Sequence, residues 1–484
     1  MELTGLFLVA PSTVQMGREF TLGVKVLTEP YEVGTSCYGP LPAVAGRYNR
    51  SPRGISYMDN VLPEFEGTLE LDGGDGYDGP GSFSFSGASG PYADDARPIA
   101  RTHGLRYLTP GLKCVRVREP GSGIEALSNP IEVSDGPPEE GLFWGDLHCQ
   151  TFLSDGLRCP EELHAFARDE SFLDVFAVSD HSESLTDRQW EYSAAVVNDF
   201  NEDGAFVALV GQEWTSRRFG HRNVYFPGDR GPILRCNDPQ QGRLDHLYEV
   251  ARRESALVIP HHSANVEMGV DWSLGHDPQV ERLVEIHSVW GSSECPESAG
   301  NPFPIRSHGG EKEGQHVVDA LERGYRFGFV GGGDIHDGRP GDELHNLQRE
   351  PEQYRLLRRQ GIMGAWAPEL TRAAVFEALR QRRVFATTNV RMLLRFAING
   401  NPMGSEIRAR GSRNLLVNAA SEVDIVRAEV IRNGHVLASA RPGGGCLSWR
   451  LEDRGSSPVD CYYVRLTRAD GQMAWSSPIW VEAG

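Results

Sequence analysis

The sequence predicts an α/β protein, with a β/α barrel over residues 141–390 set between two all-β sandwich domains, 1–140 and 391–484. Three observations carry this expectation. In the middle, short continuous apolar runs alternate with helically spaced segments, the pattern of parallel strands buried on both faces. The flanks show two-residue alternation broken by glycine-rich turns. Thirteen of the fifteen histidines lie between His148 and His345, whereas the flanks hold only His103 and His435. A chain of 484 residues is also too long for one ordinary core, so two or three domains are expected.

In the first region Glu19 to Val26 alternates sides, as does Cys114 to Arg118. Asp72 to Gly90 is rich in Gly, Asp and Ser and is expected to form a long exposed loop. The region closes on Ser128-Asn129-Pro130-Ile131-Glu132-Val133, and the chain closes on nearly the same phrase, Ser476-Ser477-Pro478-Ile479-Trp480-Val481. Each comes after a cysteine-led strand, from Cys114 and Cys461, which predicts two sandwiches of related design.

In the middle, helical spacing marks Pro160 to Glu170, Gly242 to Glu254 and Gly310 to Arg323, with a proline in the first turn of the first. Strand-like runs stand at Leu142–Trp144, Leu173–Val178, Phe206–Val210, Ala256–Ile259, Leu283–Ile286 and Phe327–Val330. No Gly-x-Gly-x-x-Gly turn joins a strand to a helix; Gly331-Gly332-Gly333 leads instead to Asp334 and His336.

The residues just past each strand point to chemistry. Asp146 and His148 stand after the first, Asp180 and His181 after the next, and Glu213 after a third; His221 opens another. His261 with His262, His287, and Asp334 with His336 complete the series, and Asp155 brackets the first loop seven positions after His148. Strand ends of a parallel barrel share one rim, where active sites are built. Imidazoles with carboxylates there suit Zn, Mn or Fe(II), and Glu213 could bridge two ions. Successive residues at a strand end face opposite ways, so one of His261 and His262 should ligate, with His261 favoured. Cys149 and Cys159 flank the loop, but hard oxygen and imidazole partners dominate, so neither is expected to ligate. His164, His246, His276, His316 and His345 fall in helical or loop contexts and are expected to face solvent or to support other residues. Arg217, Arg218, Arg222, Arg306 and Arg339 lie in rim loops, where a guanidinium can grip a phosphate. His287 is the candidate acid for a leaving group, with support of other residues as its competing role.

This ordered set resembles the PHP (polymerase and histidinol phosphatase) superfamily of metal-dependent phosphoesterases. The superfamily's opening, Asp-Leu-His-x-His-Thr-x-x-Ser-Asp-Gly, appears as Asp146 to Gly156; its Thr/Ser-Asp-His as Ser179-Asp180-His181, with Glu183 close behind; its lone glutamate as Glu213; and its late Gly-Ser-Asp-x-His as Gly332-Gly333-Asp334-Ile335-His336. The resemblance covers roughly residues 141 to 390. It implies a distorted (β/α)7-type barrel and two to three divalent ions (Mn, Zn or Fe) on His148, Gln150, Asp155, His181, Glu213, His221, His261, His262, Asp334 and His336. It further implies catalytic roles for Glu213 and Asp334. The flanking β domains resemble a poorly characterised branch of that superfamily. Gln150 departs from the pattern, standing where the superfamily has a second histidine; its amide oxygen is a weaker donor than imidazole.

The expected function is therefore hydrolysis of a phosphate ester by a metal-activated hydroxide. The alternatives are hydrolysis of a non-phosphate or phosphonate substrate, or a non-catalytic carbohydrate- or protein-binding role. The substrate expected is a small, phosphorylated molecule. A net charge of −19 argues against nucleic acid or an anionic membrane as partner. Eight scattered cysteines without a Cys-x-x-Cys pair, no signal-like N-terminus and no eighteen-residue apolar run lead to the expectation of a cytoplasmic protein.

Overall fold

Alternation builds the first sheets. In the strand Phe20–Thr35, the side chains of Phe20, Leu22, Val24 and Val26 turn inward, as do Leu69 and Leu71 in Gly67–Asp72. With Leu8, Leu105, Val117 and Ile131 they form an apolar cluster whose buried members run from Leu6 to Val133. The computed structural model describes residues 1–35, 56–86, 97–342, 344 and 360–484, and within these the chain is mostly sheet with few helices. Cys37 and His345 lie outside the described residues. Part of the segment expected to be an exposed loop is paired: Tyr77–Asp78 joins Ile99–Tyr107, and Ser82–Phe85 joins Gly67–Asp72. In the second of these, Ser82-Phe83-Ser84-Phe85 alternates polar and apolar, exposed and half-buried, a short strand signal inside a stretch otherwise rich in Gly and Asp.

The repeated phrase corresponds to a repeated structure. The backbone N–H of Val115 donates to Ser128 Oγ at 3.0 Å, and that of Val464 to Ser476 Oγ at 2.9 Å. Each phrase continues as a strand, Ile131–Ser134 or Ile479–Ala483, lying parallel to a short one, Thr13–Gln15 or Glu406–Ala409.

The strands of residues 141–390 divide among three sheets. Gly141–Asp146 runs parallel to Val175–Phe176, which runs parallel to Val207–Ala208. Leu283–Ser288 is parallel to Gly328–Gly331. The expectation of parallel pairing fails elsewhere: Val210–Ser216, Gly220–Phe226 and Leu257–Pro260 form an antiparallel trio. The first two are joined by Arg217-Arg218-Phe219 alone, far too short for the crossover that parallel strands need. Ile362–Ala367 lies antiparallel to Gly141–Asp146 and leads through Val384–Thr387 to Met473–Ser476, so one sheet runs on into the C-terminal strands.

The helix at Pro160–Ala165 extends through a π turn, Phe166–Glu170. Leu244–Arg253 is helical as expected, but Gly310 to Arg323 yields only Val317–Glu322, because Gly310 and Gly314 both adopt φ of +81°. The sequence reading does not anticipate Asp187–Phe200 and Arg372–Arg380. The first carries a readable start: Thr186 and Gln189 form a capping box, Gln189 N donating to Thr186 Oγ1 and Thr186 N to Gln189 Oε1. Among the described residues, no helix is long and apolar enough to cross a membrane.

His164 and His316 are buried, so of the two placements expected for them the solvent-facing one fails. The His164 ring packs edge-on against Phe176 at 4.9 Å, and its Nδ1 bonds to the Pro160 carbonyl at 2.7 Å. Burial pushes its pKa down to about 4, so the native protein holds it neutral while the unfolded chain, with a pKa of about 6.5, takes up a proton first. Its contribution to stability is complete above about pH 6.5 and is lost as pH falls towards about 4. The pKa difference corresponds to ~3 kcal/mol. His164→Gln should therefore lose about that much less stability than the parent between pH 7 and pH 4, in urea titrations with chelator present. Parallel losses in the two proteins would show that His164 is not held neutral.

Candidate metal centre

Two carboxylates tie the loops together before any ligand is placed. Asp146, at the end of its strand, accepts from His148 N at 3.0 Å and Gly333 N at 2.8 Å, and from Gln360 Nε2 at 2.9 Å. Asp180 holds the opening loop, accepting from Thr151 N and Oγ1 and from Ser154 Oγ at 2.5–2.8 Å. Backbone bridges between Cys149 and Ile335 and between His181 and Glu213 bring the strand ends side by side. The glycines before Asp334 serve close approach: a Cβ at Gly332 would lie 1.9 Å from Glu285 Oε2, and one at Gly333 2.5 Å from Asp146 Oδ2.

Glu213, in strand Val210–Ser216 and 1% exposed, stands at the middle. Its Oε1 lies 2.9 Å from His221 Nδ1 and 3.3 Å from His261 Nε2. Its Oε2 lies 3.4 Å from both His148 Nε2 and His181 Nδ1 and accepts from Gln150 Nε2 at 3.0 Å. Three groups of side chains each bring ligand atoms within 4.8 Å of one another: His221 with His261 and His262; His148 with Glu213 and His261; and Asp155 with His181 and His336. Asp155 Oδ1 lies 3.3 Å from His181 Nε2 and 3.4 Å from His336 Nε2. Asp334, at φ of +53°, places Oδ1 3.4 Å from His148 Nε2 and Oδ2 3.9 Å from His262 Nε2. A non-glycine residue in that conformation is strained, and such strain collects at functional sites.

The choice between His261 and His262 rests on strand alternation, and the structure removes its premise. The strand ends at Pro260, and His262 has a φ of +32°, which breaks the extended geometry and turns both rings inward, 4.4 Å apart. Alternation does hold for Arg222. It sits between His221 and Asn223 in an unbroken strand, so its side chain points away from Glu213 and donates to Glu281 Oε1 at 2.7 Å. Arg339 is likewise held internally, by Asp59 and Asp342, and Arg306 pairs with Glu297. Arg217 and Arg218 are exposed at the hairpin tip. Three of these five arginines thus pair with carboxylates of the chain itself.

His287 lies among aromatic rings. A bulge separates it from Glu285 in the strand, and its ring stacks on Trp475 at 5.7 Å and meets Phe303 at 5.6 Å. Glu285 takes the place beside His148, its Oε2 3.0 Å from His148 Nδ1. Sequence reasoning misses Glu285. The signal is a carboxylate inside a strand otherwise apolar, Leu283-Val284-Glu285-Ile286. Thr215 is missed too; its Oγ1 lies 2.6 Å from His181 Nδ1.

Electrostatics sort the side chains. Burial would raise the Glu213 carboxyl, but His181 and His261 facing it bring it well below the usual range. Burial opposes protonation of His148 and His181, yet the carboxylates around each raise both well above an ordinary histidine. Burial and neighbouring imidazoles lower His261 to about 4 and His262 well below its usual value. Gln150 Oε1, both nitrogens of His261 and His262 Nδ1 are buried without a hydrogen bond. Unsatisfied buried donors and acceptors of this kind are costly, and together with the carboxylates and the neutral rings of His261 and His262 they fit divalent cations.

Comparison with known proteins places the chain among uncharacterised relatives. A family model described as a protein of unknown function (DUF3604) matches residues 158–299 and 318–409. Uncharacterized proteins of Chlamydia pneumoniae and Chlamydia muridarum are each 31% identical to it, over 401 and 405 residues. These matches take in 78% of this chain but 63% of each relative, so the chain spans less than two thirds of the curated relatives' length. A crystal structure of a two-domain protein from Bacteroides vulgatus, described as containing a predicted PHP-like metal-dependent phosphoesterase, is similar at 13% identity and a TM-score of 0.36. That match covers 70% of this chain and 96% of that one.

Proposed function

We propose that the protein is a metal-dependent hydrolase of phosphate esters, acting on a small phosphorylated molecule in the cytoplasm. In this reading the three sheets of residues 141–390 are the wall of a distorted PHP-type barrel, with residues 1–140 and 391–484 as flanking sandwich domains. The observation that carries the proposal is Glu213, a buried carboxylate facing His221 and His261 with one oxygen and His148 and His181 with the other.

His261 would serve one ion, together with His221 and His262 or with His148 and Glu213. Asp155, His181 and His336 would hold another. Divalent ions such as Mn, Zn or Fe supply Lewis acidity for phosphoryl oxygens and lower the pKa of water. The chain's own part is to fix the geometry. Glu285 orients the His148 ring, Thr215 that of His181, and Asp334 presents a carboxylate to a histidine of each group, where it can hold a proton released from water.

The test is metal analysis of protein purified without chelator, and then a panel of phosphomonoesters and phosphodiesters. The expected result is about two ions per chain or more, with turnover abolished by chelation and restored by Mn or Zn. Less than about a tenth of an ion per chain after reloading would sink the metal centre. Full loading with no hydrolysis of either ester class would leave a metal protein that is not a phosphoesterase.

A further inference from the structure

The N-terminal sheet turns its outer face onto the loops that carry Asp155 and His336. Gly23 and Lys25 are the outward positions of strand Phe20–Thr35, and both are buried. A Cβ at Gly23 would lie 2.7 Å from the ring of Phe172. Lys25 is fully buried, with Nζ 2.8 Å from Asp342 Oδ2 across 317 residues of chain. Arg339 shares that carboxylate at 2.5 Å and also reaches Asp59 Oδ1 at 3.1 Å and Asn60 Oδ1 at 2.8 Å. The ring of Phe166 meets three cations: Lys25 at 5.3 Å, Arg158 at 5.1 Å and Arg339 at 5.0 Å. Arg158 belongs to the loop after Asp155 and Arg339 to the loop after His336. Those loops are also joined directly, Leu157 N donating to the His336 carbonyl at 2.9 Å.

We propose that Lys25 is a positioning residue for the Asp155–His181–His336 group, so that this group is complete only when the N-terminal sheet is docked. The inference rests on the metal centre put forward above. A buried charge is costly unless paired, and a buried ion pair seldom improves on well-packed apolar side chains in stability. Its better-attested use is to select one arrangement. Here the selected arrangement is the segment Asp337 to Asp342, which begins directly after His336. The residue type agrees: in a chain with only three lysines, a compact ammonium stands where Arg339 already occupies Asp342, and a guanidinium would need more room.

Lys25→Met removes the charge and keeps the stem; Asn60→Ala removes one support of Arg339 at a half-buried position. Ions per chain would be measured against graded chelator for the parent, each variant, His336→Ala, and Lys25→Met combined with His336→Ala. Near-UV circular dichroism reports folding beside each. The expected result is selective weakening of one ion, by about tenfold, in Lys25→Met and Asn60→Ala, with the others unchanged. The double variant should then lose no more than His336→Ala alone, since both act on one group. If Lys25→Met fails to fold, Asn60→Ala decides. Unchanged affinities, or an equal loss of all ions, overturn the proposal while the metal centre stands. A parent without metal overturns the centre and this inference with it.

Discussion

Glu213→Ala should strip the centre of at least one ion and lower hydrolysis by about a thousandfold, at the upper end of what loss of one electrostatic element costs an active site. The expectation comes from how many partners share this carboxylate. Its two oxygens face four imidazoles and the Gln150 amide within 2.9–3.4 Å, all buried. Without its charge, the groups built on His148 and His261 lose the anionic donor that offsets the charge of a bound ion. Glu213→Gln separates charge from shape: it fills the same space and should keep the fold, yet lose metal nearly as fully as Glu213→Ala. Both variants would be assayed for ions per chain and for metal-dependent turnover beside the parent. Retention of full metal and rate by Glu213→Ala would mean that the gathered strand ends are not the active centre.

The sequence is legible where chemistry is written in consecutive residues. Asp146 to Gly156, Ser179 to His181 and Gly332 to His336 carry side chains that the fold brings into common groups, because each stands at or within three residues of a strand end, which leaves its loop little freedom. It is less legible where a side chain's direction depends on backbone detail. His262 turns inward through a single residue at φ of +32°, and Arg222 turns outward through regular alternation, though residue type and nearness to the rim speak for both alike. Pairing direction is hidden for a related reason. Apolar runs at Phe206–Val210 and Ala256–Ile259 look alike whether their neighbours run parallel or antiparallel, and the deciding feature is the three-residue link after Ser216. The repeated Ser-x-Pro-Ile-x-Val phrase is readable because both copies need the same buried serine to accept from a preceding strand. Lys25 gives no such signal, since its partner Asp342 stands 317 residues away.

Glu285→Gln should weaken metal binding by about 10- to 100-fold while leaving the fold intact, the range expected when the partner of a ligating histidine is altered. Glu285 is 3% exposed, and its Oε2 lies 3.0 Å from His148 Nδ1. An ionised carboxylate there keeps the proton of a neutral ring on Nδ1 and leaves the Nε2 lone pair facing Glu213 and Asp334. An amide of the same size can accept the same bond without negative charge, so ring orientation survives but donor strength falls. The variant also carries a pH signature. Burial pushes the Glu285 carboxyl up to about 7, with His148 opposing and Asp334 and Asp146 adding to the rise. Below about pH 7 the parent increasingly holds a neutral acid at this position and its metal affinity should fall; the Gln variant has no carboxyl to titrate and should lack that segment of the decline. Competition with a chromogenic chelator between pH 6 and pH 8 measures both features on the same samples, pH values chosen to bracket the carboxyl at about one unit each side. Equal affinities across that range would show that Glu285 fills space beneath His148 without tuning it.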